Sequence, residues 1–183
     1  MLVETHVHRF SLRKGLTLPI AGAASAAVEA GPDITTVAIL GADYPGLKPR
    51  LMVEEGDAVG AGAPVLVHRD TPEVMITAPV SGRIRAINRG AQRRLISIEI
   101  AVDPGAADPV DFAATGDIRT PEGVAERLCA SGLWTSFRTR PYSKVPAPDT
   151  RPAAIYVTAM DTEPLAADPA PIIAAQADAF TRG

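Results

Sequence analysis

The chain is poor in the residues that commonly carry chemistry. Cys129 is the only cysteine among 183 residues. No internal disulfide can therefore form, which fits a reducing, cytosolic framework, and no cysteine spacing for an iron–sulfur centre exists. Lysine is limited to Lys14, Lys48 and Lys144. No basic excess is present either: the formal net charge is −3, against what a general nucleic-acid binder would carry. No apolar run reaches the eighteen or so residues of a membrane span. Residues 16–28, preceded by Arg13 and Lys14, imitate a signal peptide, but Pro19 and Gly22 interrupt an Ala/Gly-rich stretch that begins too late for one. No Gly-x-Gly-x-x-Gly or P-loop follows a strand. Aromatics are 4 % of the chain, while glycine (15) and proline (17) are plentiful, so a closely packed fold of short elements and many turns is expected.

Residues 1–33 are punctuated by Gly15, Pro19, Gly22, Gly31 and Pro32, which leaves room for short strands and turns only. Residues 35–40 form a β-branched apolar run, a strand, and Asp43-Tyr-Pro-Gly46 a turn. Further short strands are predicted at 50–53, 64–68, 74–78, 82–87 and 95–102, spaced as in a sandwich or barrel. Residues 103–119 are rich in Asp, Ala, Gly and Pro and are expected to be a linker. Thr120 and Pro121 then open a helix with Val124 and Leu128 on its buried face and Gly132 as its stop. After an irregular stretch to residue 150, residues 153–160 form the nearly continuous apolar run of a strand covered on both faces, and Asp168 and Pro169 start a last helix lined by Ile173, Ala177 and Phe180. One strand–helix pair cannot bury its own strand, so it requires further strands. The expected architecture is α+β: a β-rich domain over 1–102, the linker over 103–119, and the beginning of an α/β domain over 120–183.

The run Glu55-Gly-Asp-Ala-Val-Gly-Ala-Gly-Ala-Pro-Val-Leu66, followed by Ala78-Pro-Val-Ser-Gly-Arg-Ile84, resembles biotinyl/lipoyl domains. Two such half-turns build a flattened sandwich of barrel-sandwich type. A carrier of this kind displays an acylatable lysine on the hairpin between the two runs. Here the hairpin is Arg69-Asp-Thr-Pro-Glu73 and contains none. Arginine is no substitute, because its guanidinium stays protonated and is a poor nucleophile. No covalent biotin or lipoate is expected.

Four longer runs carry a more specific resemblance: Lys14-Gly-Leu-Thr-Leu-Pro-Ile-Ala-Gly22, Asp43-Tyr-Pro-Gly-Leu-Lys-Pro49, the segment 131–149 (Ser-Gly-Leu-Trp-Thr-Ser-Phe-Arg-Thr-Arg-Pro-Tyr-Ser-Lys-Val-Pro-Ala-Pro-Asp) and 157–168 (Val-Thr-Ala-Met-Asp-Thr-Glu-Pro-Leu-Ala-Ala-Asp). They resemble the A subunit of the sodium-translocating NADH:quinone oxidoreductase, in its N-terminal part. The resemblance implies that residues 120–183 begin a Rossmann-like domain. It also implies a peripheral subunit on the cytoplasmic face of the bacterial inner membrane, within a respiratory translocase that passes electrons from NADH to ubiquinone and pumps sodium. The other subunits would be its partners, and ubiquinone a substrate of the complex. In this family the A subunit does not itself oxidise NADH, and the reading is structural and quinone-proximal. The stretch after Gly132 is placed like the glycine-rich flavin loop of the FMN-binding subunit of complex I, but Trp134, Phe137, Arg138 and Arg140 stand where glycines would let backbone approach a flavin phosphate. No cofactor is expected on this chain. The alternatives are a stand-alone carrier domain, opposed by the missing lysine, and an FMN-binding electron-transfer subunit, opposed by the filled loop.

Outside these motifs, His6 and His8 share one face of a strand but find only His68 as a further imidazole, too few for a metal. No catalytic residue is assigned. Trp134, Arg138, Arg140, Tyr142 and Lys144 form the candidate contact for a quinone or a partner subunit, through cation, hydroxyl and ring contacts. The competing reading has the basic side chains paired with acids and the rings packed on the sheet. Asp161 closes the 153–160 run, where ligands bind in open α/β sheets.

Overall fold

The computed structural model describes residues 11, 15, 18–25, 27–158, 161 and 163–182. They divide into two units, Pro32–Ala153 and the described residues on either side of it.

In the first unit, seven short strands form two antiparallel sheets. They are β1 (Thr36–Leu40), β2 (Pro49–Leu51), β3 (Ala58–Val59), β4 (Pro64–His68), β5 (Thr71–Thr77), β6 (Gly82–Arg89) and β7 (Leu95–Val102). One sheet has the order β1-β7-β6-β3, the other β2-β4-β5. β4 and β7 occupy the bounds that their apolar runs predict. The two-residue β3 was missed, because Ala58 and Val59 are too short a run to show periodicity. The predicted half-turns are present: Gly56 and Gly62 hold φ of 96° and 85°, values that side chains disfavour. The first half-turn is bonded to β6: Gly56 N–H donates to the Ile84 carbonyl at 2.8 Å, and Glu55 Oε1 accepts from the Ile87 N–H at 2.7 Å. Val65, Leu66, Ile98 and Ile100 meet between the sheets with no exposed surface, and Ile39, Val59, Ile76, Ile84 and Leu95 surround them.

The hairpin tip differs from its expected form. Ladder pairing resumes at Thr71, opposite His68, so the tip is only Arg69 and Asp70, and Thr71, Pro72 and Glu73 belong to β5. Pro72 is tolerated there because β5 is an edge strand of its sheet. A lysine does reach this tip through space. Lys48 Nζ lies 2.7 Å from Asp70 Oδ2, and its hydrogen bond holds the Asp70 carboxyl below its usual range.

Helix α1 (Pro121–Ala130) begins as the sequence requires: Thr120 Oγ1 accepts from the Gly123 N–H at 3.1 Å. Its buried residues, however, are Gly123 and Cys129, while Val124 is 38 % exposed. The i, i+4 pattern misled here because the helix packs through its C-terminal end on the edge strand β5. Thr77 Oγ1 donates to the Ser131 carbonyl at 3.1 Å, and Gly132, at φ 81°, turns the chain against Thr77. Residues 103–119 contain no helix or strand, yet Val110 N–H donates to the Ala61 carbonyl at 2.8 Å.

In the second unit the described residues of the expected strand do not form one. Residues 154–158 form no strand, and Ile155, Tyr156 and Val157 are 66, 92 and 87 % exposed. A strand needs a ladder partner, and none exists for this run among the described residues. The last helix is also broken, into α2 (Ala170–Ala175) and α3 (Ala177–Arg182), at Gln176 with φ −131°. Asp168 Oδ1 still accepts from the Ala170 N–H at 2.9 Å. Ile173 is half-buried and Phe180 is 60 % exposed, so no continuous buried face forms along this pair. No described helix is long and apolar enough to cross a membrane.

Candidate functional site

After Gly132 the chain makes one short 3₁₀ turn (Leu133–Ser136) and then runs irregularly. Its first part is held by its own aromatics. Trp134 and Phe137 meet edge-to-face with centroids 5.3 Å apart, and the indole N–H donates to the Pro146 carbonyl at 2.9 Å. This N–H fixes the two ends of the loop to each other, and the ring pair fills the space between.

Arg138, although exposed, is also bonded back to the loop. Its guanidinium donates to the Phe137 carbonyl at 2.9 Å and to the Thr135 carbonyl. Its charge reaches Tyr44, a residue the sequence marked only as part of a turn. Burial pushes the Tyr44 hydroxyl pKa up, neighbouring Asp43 adds to that rise, and Arg138 opposes both. Trp134 and Arg138 are thus latches of the loop.

The remaining three residues behave differently. Thr139 N–H and Oγ1 both donate to the Lys144 carbonyl, at 2.8 and 3.1 Å, and Ser143 N–H donates to the Thr139 carbonyl at 2.8 Å. These bonds close residues 139–144 into a tight bend. Arg140, Tyr142 and Lys144 project from it, all exposed, with Tyr142 at 79 %. Among the described residues none of the loop's cations forms an ion pair with a carboxylate. The competing expectation of acid-paired cations therefore does not hold there. Its aromatic half expects both rings packed on the sheet, whereas Trp134 packs on Phe137 within the loop and Tyr142 is exposed.

The other singled-out residues fall outside this cluster. His6 and His8 lie outside the described residues. Among the described residues no group of His, Cys, Asp and Glu could hold a metal ion. Asp161 is exposed and accepts from the Glu163 N–H at 2.9 Å, a local turn. Cys129 is buried, and desolvation, with a smaller push from Glu73, raises its thiol pKa from 9.0 to about 11. The sign follows directly. The folded thiol keeps its proton longer than the unfolded one, so its contribution to stability is complete below pH 9 and is lost as pH rises toward 11. At pH 8 the native thiolate fraction should be about a hundredfold lower than in the unfolded chain. Iodoacetamide should therefore label Cys129 slowly in buffer and quickly in urea, and equal rates would contradict its burial.

Two family models match this chain in succession. The NqrA N-terminal barrel-sandwich hybrid domain matches residues 10–103, and the NqrA second alpha/beta domain matches residues 119–183. The A subunit of the Na(+)-translocating NADH-quinone reductase of Serratia proteamaculans (strain 568) is 51 % identical over 176 residues. The proteins of the same name from Neisseria meningitidis serogroup B and Yersinia pestis are 49 % and 47 % identical over 177 and 174 residues. Each alignment takes in 94 % of this chain but 39 % of the relative, so the chain spans about two fifths of their length. The seven-stranded sandwich agrees with the first match, and the chain belongs to the NqrA family, the A subunits of the Na(+)-translocating NADH-quinone reductase, whose first two domain models it matches.

Proposed function

We propose that this chain acts as a peripheral, non-catalytic part of a sodium-pumping NADH:ubiquinone reductase. It lies on the cytoplasmic face of the bacterial membrane and contributes scaffold and docking surface near the quinone. The observation that carries this reading is the bend at 139–144, which is closed by backbone bonds and directs Arg140, Tyr142 and Lys144 outward with no carboxylate partner among the described residues. Such a bend suits contact with another subunit or with a quinone headgroup.

Its own electron or group carriers are not part of the proposal. The lysine nearest the carrier hairpin, Lys48, lies outside it and is tied to the Asp70 carboxylate by a hydrogen-bonded ion pair at 2.7 Å, not displayed free at the tip. The Trp134–Phe137 pair occupies the loop where a flavin phosphate would need bare backbone. Both observations weigh against the biotinyl/lipoyl carrier and the FMN-binding subunit.

The test is co-purification. The chain, tagged and expressed with the remaining subunits, should bring them down from detergent extracts, and its intact mass should match the unmodified sequence. The combined variant Arg140→Glu, Tyr142→Ala and Lys144→Glu should weaken that association by about 30-fold, as for a contact hot spot. Undiminished association would refute the docking role of the bend. A biotin, lipoate or flavin adduct in the mass would refute the carrier-free reading.

A further inference from the structure

The whole chain is slightly acidic, yet five of its 18 basic residues fall within one hairpin. Arg83, Arg85 and Arg89 lie on β6, and Arg93 and Arg94 on the turn into β7. All five are exposed, and residues 82–94 include no Asp or Glu. Among the described residues none of the five forms an ion pair with a carboxylate.

The tip is built to hold its arginines together. Gln92 and Arg93 both take positive φ, 55° and 59°, the geometry of a tight hairpin turn that glycine or asparagine would ordinarily supply. Arg94 N–H donates to the Ala91 carbonyl at 3.2 Å and Gly90 N–H to the Arg94 carbonyl at 2.8 Å, closing the turn. Arg89 Nη1 donates to the Arg93 carbonyl at 3.1 Å, which draws its guanidinium up to the tip. Ile96, 47 % exposed, covers Gly90 beside them. Arginine in a strained left-handed turn has no structural advantage over glycine there, so its charge is the feature to account for.

We propose that the β6–β7 hairpin is a docking tip for an anionic lipid surface. Arg89, Arg93, Arg94 and Ile96 are all exposed within one short turn, close enough together for a layer of phosphate headgroups to engage them at once. An acidic peptide is disfavoured as the occupant. The concavity beside the hairpin, an open groove of about 480 Å³, presents Glu54 and Glu55 next to Arg89 and would repel such a peptide. The hairpin approaches headgroup phosphates through bidentate guanidinium contacts, with Ile96 at the headgroup boundary. This goes beyond membership of the reductase complex and does not depend on it.

The test uses the 183-residue chain and vesicles of phosphatidylcholine, with or without about 30 % phosphatidylglycerol, in co-sedimentation at low and high salt. Binding is expected only with phosphatidylglycerol, and it should fall away as salt shortens the screening length. Removing each tip charge should weaken it about five-fold, so the double variant Arg93→Gly and Arg94→Gln should bind about 25-fold more weakly. Arg93→Gly alone should raise the melting temperature, since glycine relieves the positive φ, so its lost binding could not be ascribed to unfolding. Equal sedimentation with both vesicle types, or no binding to either, would overturn the proposal. So would full binding by the double variant, or loss of binding on replacing Arg140 and Lys144 alone. Loss of co-purifying subunits from the double variant, with no vesicle binding by the parent chain, would assign the hairpin to a protein contact instead and equally overturn it.

Discussion

Ile98→Ala should remove about 3 kcal/mol of stability, enough to threaten a domain whose whole margin is of order 5–15 kcal/mol. Ile98 sits on β7 opposite both Ile39 of β1 and Ile87 of β6, and none of its surface is exposed. The strands on both sides are hydrogen-bonded to β7, so they cannot close on the space the deletion leaves, and the cavity persists. Ile96, near the start of the same strand, is 47 % exposed, and its replacement by alanine should change stability by less than about 0.5 kcal/mol. In urea the Ile98→Ala midpoint should fall by about 1.5 M and the Ile96→Ala midpoint should hardly move. Equal shifts would mean that β7 is not the central strand of this core.

The sandwich was legible because its signal is local. β4 and β7 are apolar runs bounded by turn residues, and the glycines of the two half-turns mark where the chain reverses. Pairing is not local, and there the sequence was silent. Lys48 and Asp70 are 22 residues apart, and only the β2–β4 register brings them together. For the same reason a lysine stands at the hairpin tip although the hairpin itself contains none. The apolar run after residue 152 shows the opposite failure. Its composition is that of a buried strand, but composition cannot supply a ladder, and without one Tyr156 and Val157 remain exposed. Helix α1 failed at the level of its face: the periodicity marked Val124 and Leu128, whereas the buried residues are Gly123, set against the Asp117 backbone, and Cys129, with Leu128 half-buried and Val124 exposed.

The candidate cluster was grouped by sequence proximity, and sequence could not tell its members apart. Trp134 and Arg138 bond to carbonyls within their own loop, so they maintain its shape. The side chains of Arg140, Tyr142 and Lys144 make no such bonds among the described residues and stay exposed, as the proposed contact requires. Five arginines in twelve residues, by contrast, could have been counted from the sequence. A net charge averaged over the chain concealed them, because the carboxylates that balance them lie on other elements.

The proposed docking bend lies on the loop that follows α1, so the clamp in front of this helix makes Arg127 the second sensitive position. Its guanidinium donates to three carbonyls in front of the helix, those of Ala113 (2.7 Å), Thr115 (2.6 Å) and Gly116 (3.0 Å). Those three groups lie on one tight turn, Gly116 takes a positive φ of 63°, and no other side chain among the described residues satisfies them. Arg127→Ala should cost about 2 kcal/mol, since charged hydrogen bonds are lost and partly buried carbonyls are left unpaired. Arg127→Lys should recover less than half of that, because a lysine ammonium keeps the charge but lacks the planar fork that spans three acceptors. The loss should also appear at a distance. Hydrogen exchange should quicken first at residues 113–119 and then along α1, and association through the 139–144 bend should weaken although no residue of the bend has changed. Full rescue by lysine would show that charge, not geometry, carries the effect. Faster exchange at 113–119 with unaltered association would separate the clamp from the bend.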